Sequence, residues 1–275
     1  MTYETIQLSF DGPVATISLN RPDKLNAINA VMLHELEDAL DDREGNDAVM
    51  AIVLHGNGRS FCAGFDLKAS VEKGRRGERE WRAALEYDLA VIMRFWHCEK
   101  PTIAAVNGYA LAAGFELALA CDMTVCGASA LFGEPEVRFG SSIVAMLLPW
   151  YVNPKRAKKM LLTGQDRMTA DEALLHGLVN EVVPDQEVLA RGRSLAREAA
   201  LMDPDSVRLT KKAINESYRI MGMEQALDAG LEISIEIETT ETDIRREFNR
   251  ILREQGFKAA LIWREERLEK PDAPA

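Results

Sequence analysis

A parallel β-sheet covered by helices and followed by a helical tail is the α/β fold this sequence predicts. Three observations carry it. Through residue 140, short apolar runs of strand length alternate with longer stretches of helical spacing. One run, Ala51-Ile52-Val53-Leu54, is wholly apolar between polar flanks, the mark of a strand buried on both faces. From Asn153 onward helical spacing dominates, with Asn180 to Val183 as one short strand.

The elements follow in order. Ile6, Leu8 and Phe10 share one strand face, and after Asp11-Gly12-Pro13 a second alternation sets Ala15, Ile17 and Leu19 opposite Val14, Thr16 and Ser18, predicting a hairpin. Asn20-Arg21-Pro22-Asp23 closes it as a loop. Asn29 caps a helix whose apolar face is Val31, Met32, Leu36, Ala39 and Leu40. Gly56-Asn57-Gly58 ends the buried strand. Residues 71–80, VEKGRRGERE, are charged and contain glycine, which predicts a mobile surface segment. Trp81 to His97 has helical spacing. Pro101 to Val106 reads as a second buried strand turned by Asn107-Gly108, Ala112 to Ala120 as a helix and Met123 to Cys126 as a strand. No internal repeat or long linker interrupts the chain.

The 275 residues suffice for one large domain, or a domain with a helical appendage, and 47% apolar with 28% charged residues is ordinary globular composition. The longest apolar stretch, Pro101 to Cys121, is broken by Asn107, Gly108, Gly114 and Glu116, too often to span a bilayer. A formal charge of −11 argues against nucleic-acid or anionic-membrane partners, so a phosphorylated ligand would need a local basic cluster. The N-terminus has no basic start, apolar run or cleavage site. Cys62, Cys98, Cys121 and Cys126 form no Cys-x-x-Cys pair and read as reduced, buried thiols, so a cytoplasmic location is expected. The four histidines show no metal-ligand spacing, and there is neither a nucleophile elbow nor a phosphate-binding loop.

Within Tyr109 to Cys121, YALAAGFELALAC, the only charged side chain is Glu116. A carboxylate in an apolar helix is costly unless it is paired or its pKa rises. It is either held by a structural partner or tuned for proton transfer. Ala112, Ala113 and Gly114 stand where that helix begins. Small residues there serve close packing equally, or let an oxyanion approach unsatisfied N–H groups. Phe132-Gly133-Glu134-Pro135-Glu136 follows the next strand. Pro135 stiffens the flanking carboxylates, although such a triplet is usually a solvated loop. Ser60 to Lys68 is unusually apolar for a connection, as if it lines something.

Together these segments resemble the crotonase superfamily, the enoyl-CoA hydratase/isomerase family. Asn20-Arg21-Pro22 with Leu25-Asn26-Ala27 is similar to its adenine-side loop, and Phe61 to Lys68 to its first oxyanion loop. Ala105 to Ala110, Glu116 to Ala118 and Cys121-Asp122 match its central motif, and Phe132-Gly133-x-Pro135-Glu136 its second catalytic segment. The resemblance runs from about Glu4 to about Pro184. It implies a repeated ββα spiral core over residues 1–200, with a helical region over 201–275 for assembly into trimers or hexamers. Arg246 to Leu268 is a candidate interface helix.

The resemblance also implies the chemistry. Backbone N–H groups of Phe65 and Ala113 would hold the thioester oxygen, and Glu116 and Glu136 would bind one water and add it across the 2,3 double bond of an acyl-CoA. Coenzyme A enters as part of the substrate, with no separate cofactor and no metal. Lys24, Leu25, Ala27, Arg59, Ala63, Asp66, Leu67 and Lys68 match positions that bind it, with Arg264 of a neighbouring subunit as a further candidate. Gly140 and Val144 match the acyl pocket. An isomerase, or a hydrolase or lyase of acyl-CoA, would use the same oxyanion pocket. A non-catalytic acyl-CoA- or RNA-binding relative is disfavoured by the charge and by both glutamates being present.

Two departures from the family pattern stand out. Alanines replace the first two of three glycines before Glu116, which the oxyanion site survives if the local φ angles stay negative. Val144 stands where a glycine normally borders the catalytic water, so it would fill acyl volume, exclude water or redirect the reaction.

Overall fold

The computed structural model describes residues 3–75 and 77–269. The strands in chain order are β1 (Ile6–Asp11), β2 (Val14–Leu19), β3 (Ala51–Gly56), β4 (Thr102–Val106), β5 (Tyr109–Leu111), β6 (Met123–Gly127), β7 (Leu131–Gly133), β8 (Met168–Thr169) and β9 (Glu181–Val183). The helices are α1 (Ala30–Glu44), α2 (Leu67–Lys73), α3 (Gly77–His97), α4 (Ala113–Ala120), α5 (Leu148–Tyr151), α6 (Pro154–Thr163), α7 (Ala170–Leu175), α8 (Val188–Ala200), α9 (Pro204–Ile220), α10 (Met223–Thr239), α11 (Asp243–Gln255) and α12 (Phe257–Glu269).

The β1–β2 hairpin pairs antiparallel, Ile6 opposite Leu19 and Asp11 opposite Val14. From β2 the larger sheet continues in parallel through β3, β4, β6 and β9. A smaller sheet holds β5, β7 and β8. The chain enters the larger sheet at β4, crosses to the smaller at β5, forms α4, and repeats with β6 and β7. Isolated parallel bridges, Ile28 to Phe65 and Cys62 to Ala110, carry the second layer back to the turns after β2 and β3. Each turn is thus strand, strand, helix, the ββα spiral that the resemblance implies.

Alternation in β2 predicts one covered face, but all six of its residues are buried. Helix α8 covers the other face. Val188 and Ala196 pack on Val14, Val53 and Ala105, and Arg193 donates to Thr16 Oγ1 at 3.0 Å. The opposite face of the sheet meets α1, α3 and α4 in the main core, which also takes Met223, Leu227, Leu231 and Ile235 from α10. Over residues 71–80, helix rather than irregular chain dominates among the described residues: α2 reaches Lys73 and α3 starts at Gly77. Glu78 in that first turn complements the helix dipole and pairs with Arg82 at 2.9 Å. Among the described residues, no helix is long and apolar enough to cross a membrane.

Candidate active site

The spiral brings three loops to one point. Asn26 is fully buried, with its amide donating to the Asn57 and Ser60 carbonyls at 2.9 and 2.7 Å. Leu25 and Asn26 take φ of 51° and 55°, consecutive left-handed residues of a kind that persists where surrounding structure over-determines it. The Ala63 N–H donates to the Leu25 carbonyl, Ile28 to Gly64 and Asp66 to Ile28, while Arg21 pairs with Asp66 at 3.0 Å and donates to the Ala27 carbonyl. This ladder uses the Gly64 carbonyl and the Asp66 N–H on either side of Phe65. The Phe65 N–H itself has no acceptor among the described residues.

Ala113 opens α4, so its N–H has no intrahelical acceptor and meets none elsewhere among the described residues. Gly64, at φ +91°, fixes how near the two groups lie, because a Cβ added there would stand 3.4 Å from Ala113 N and 2.5 Å from Ala112 Cβ. Ala112 does not meet the expected condition of negative φ. It takes φ 55° and ψ −134°, a region costing an alanine about 1–3 kcal/mol. Its own N–H is used by the Gly133 carbonyl at 2.8 Å. The strained alanine therefore leaves the Ala113 N–H unpaired. Gly114 is required on other grounds, since a Cβ there would lie 2.3 Å from the Cys62 carbonyl oxygen.

Glu116 is 1% exposed. Its Oε1 accepts from Ala145 N at 2.8 Å, the Val144 N–H also reaches the carboxyl, and Oε2 has no partner among the described residues. Burial, then the neighbouring Glu136, holds this carboxyl well above the usual range despite the two donors. Glu136 begins a short 3-10 turn at 8% exposure, and burial pushes it up to about 8. Charge on Glu136 raises Glu116 further, so the two glutamates do not ionise independently.

The Glu-Pro-Glu triplet is not the solvated loop that its composition suggests. Glu134 is 1% exposed and held well above the usual range by burial, then by Glu136 and Glu116. Period-two spacing from the core residue Phe132 could have signalled its inward direction. Asp88 on α3 also faces Glu116, and burial raises it to about 7.

Val144 is buried, and its N–H serves Glu116, so the branched side chain has not pulled the backbone away from the site. The segment is pinned from α10. Glu238 Oε1 accepts from Ser141 Oγ, Ser142 N and Ser142 Oγ at 2.6, 2.9 and 3.2 Å, and Ser234 donates to the Ile143 carbonyl at 2.8 Å. Glu238 in turn pairs with Arg245. Spacing in the sequence gives no access to this clamp, whose members lie almost a hundred residues apart.

The other expected ligand residues lie nearer the surface. Lys24, Arg59 and Lys68 are exposed, and Lys68 lies 3.8 Å from Glu72, while Leu25, Ala27, Ala63, Asp66 and Leu67 are half-buried along the ladder. Gly140 is exposed and lines a pocket of about 470 Å³ with Arg138, Arg245, Arg264 and Arg267. Arg264 thus belongs to a cluster formed within its own chain.

Comparison with known proteins identifies the family. The family model described as enoyl-CoA hydratase/isomerase matches residues 9–250. A putative enoyl-CoA hydratase of Thermus thermophilus is 40% identical over 206 residues, 74% of this chain and 81% of that protein. The crotonyl-CoA hydratase of Syntrophomonas wolfei is 36% identical over 85% of this chain and 88% of its own length. A crystal structure of an enoyl-CoA hydratase/isomerase from Xanthobacter autotrophicus Py2 superposes with a TM-score of 0.95 at 44% identity, covering 100% of both chains.

Proposed function

The chain belongs to the enoyl-CoA hydratase/isomerase family, and on that premise we propose that it adds water across the 2,3 double bond of an enoyl-CoA thioester. The observation that carries the reading is the presence of two kinds of unsatisfied group. Among the described residues, the buried Glu116 and Glu136 each keep one unpartnered oxygen, and the Phe65 and Ala113 N–H groups beside Gly64 have no acceptor. The fixed N–H dipoles stabilise negative charge on the thioester oxygen as the enolate forms. The two carboxyls hold the water, activate it for attack at the β-carbon and return a proton to the α-carbon. Raised carboxyl pKa values suit that exchange near neutral pH. Coenzyme A is part of the substrate, the reading needs no separate cofactor, and the exposed Lys24, Arg59 and Lys68 are available to its phosphates.

Assembly into trimers or hexamers is part of the proposal. Helix α9 is amphipathic in sequence but buries none of its residues, leaving Leu209, Ile214 and Ile220 exposed beside Leu201 and Met202. The four free, buried cysteines support a reducing compartment such as the cytoplasm.

Glu136→Gln tests the reaction. Hydration, followed as loss of the conjugated-thioester absorbance, should fall by about 10³-fold or more. Mass analysis of products from an acyl-CoA panel separates water addition from isomerisation and thioester cleavage. If the unaltered enzyme hydrates no chain length, the reading is wrong.

A further inference from the structure

Three carboxyls, rather than two, meet in the interior beside the reaction centre, and the third has a different set of partners. The Glu134 N–H donates to the Gln165 carbonyl at 3.0 Å. Gly133 before it fits so tightly that an added Cβ would lie 2.3 Å from the same carbonyl oxygen. The backbone therefore fixes the inward direction of the Glu134 side chain.

Glu134 Oε2 and Glu136 Oε2 are both buried and meet no protein donor among the described residues. Yet the two side chains are within hydrogen-bonding reach of each other. Ionised carboxylates only accept, so a bond between them requires a proton on one. Glu136 is also served by its own backbone N–H, which favours its charge, whereas among the described residues Glu134 has Glu136 alone as a side-chain partner and has Glu116 nearby as a further negative charge. The proton therefore belongs on Glu134.

We propose that Glu134 is a positioning residue that stays protonated through turnover and donates its O–H to the Glu136 carboxylate, leaving the other Glu136 oxygen for water. The bond holds Glu136 in one orientation and supports its ionised form against burial. The charged groups facing the pair are Glu116 from α4 and, beyond it, Asp88 from α3. On the neighbouring turn Arg138 is paired with Asp166 at 2.6 Å. No net proton leaves Glu134, so its part in the reaction is to orient and tune Glu136.

The kinetic part of this inference rests on the hydration reading, and an equilibrium measurement separates the two. Glu134→Gln keeps a donor in nearly the same volume, whereas Glu134→Met removes it. The acid limb of the kcat–pH profile should stay in place in E134Q and rise by about one to two pH units in E134M, the worth of one hydrogen bond to a charged group. KM should change little in either variant. In the unliganded protein carrying ¹³C-labelled glutamate carboxyls, the NMR midpoint of Glu136, assigned by its loss in E136Q, should move the same way. In the unaltered protein, the Glu134 resonance should remain at its protonated position from about pH 5 to about pH 9. A Glu134 resonance that titrates within that range overturns the proposal, and so does a Glu136 midpoint that is unmoved in E134M or lowered in E134Q. If no enoyl thioester is hydrated but the Glu136 midpoint still rises in E134M, the hydration reading has failed and the hydrogen-bond assignment stands.

Discussion

Gly64 separates the two proposed oxyanion donors, and adding one methyl group there should damage stability and catalysis together. At φ +91° an alanine is strained by about 1–3 kcal/mol. Its Cβ would stand 2.5 Å from Ala112 Cβ and 3.1 Å from the Leu111 carbonyl oxygen, an overlap costing about 1–3 kcal/mol more. Gly64→Ala should therefore lose about 2–6 kcal/mol, which for a chain of this length lowers Tm by about 10 °C. Relief of the overlap wedges the 63–66 loop away from α4 and separates the Phe65 and Ala113 N–H groups. A displacement of about 1 Å there should reduce kcat/KM by about 10²-fold. Ala112→Gly removes the nearest clash and relaxes a residue held at φ 55°. The double variant should thus recover about 1–2 kcal/mol relative to additivity, while the strain at residue 64 remains. Urea denaturation and steady-state hydration of the four proteins complete the cycle. Additive energies within about 0.5 kcal/mol, or a destabilised Gly64→Ala with undiminished kcat/KM, would refute the reasoning.

Two further outcomes follow from the same geometry. Glu136 is raised to about 8 from an ordinary 4.5, so between those values the folded state holds a proton that the unfolded chain has released; the associated stability is intact below about pH 4.5 and lost as pH climbs to about 8. Glu136→Gln, neutral throughout, should out-stabilise the parent by on the order of 3 kcal/mol at pH 8 but not at pH 4.5, and parallel stability–pH curves would contradict this. Glu238→Ala should cost about 3–5 kcal/mol by stranding Arg245, and about tenfold in kcat through the freed 141–145 segment. The paired change Glu238→Leu with Arg245→Met should restore much of the denaturation midpoint but not kcat.

Local patterning made much of the architecture legible. Ala51 to Leu54 reads as a buried parallel strand because every side chain in it is apolar, and β3 is parallel to both neighbours. Asn29 reads as a helix cap because its carbonyl can take a free N–H, and it accepts from Met32 N at 2.9 Å. Glu116 stands out because a charge in an apolar helix requires an explanation. What stayed illegible depends on distant chain. β5, β7 and β8 have only two or three residues and carry no periodic signal. Whether Glu134 faces solvent depends on the Gln165 carbonyl against Gly133, and the full burial of β2 depends on α8, more than 170 residues away.

The same distinction explains why the alanines are tolerated where a run of glycines would be expected. Glycine is compulsory where a Cβ would meet fixed backbone. Gly114 faces the Cys62 carbonyl at 2.3 Å, and Gly64 combines left-handed φ with close contacts to Leu111 and Ala113. Ala113 lies inside the helix, where a methyl group costs nothing and the N–H stays unpaired. Ala112 carries strain, and its own amide is bonded to Gly133, so its methyl group removes neither proposed donor. Val144 follows the same logic, since its backbone still serves Glu116 and only side-chain volume has been added. The departures therefore add side-chain volume, while the N–H pair and the two buried glutamates that the proposed chemistry requires are kept. On the hydration reading, the expected consequence is a change in acyl preference rather than a change of reaction, and it is checked by comparing kcat/KM across enoyl chain lengths for the parent and Val144→Gly.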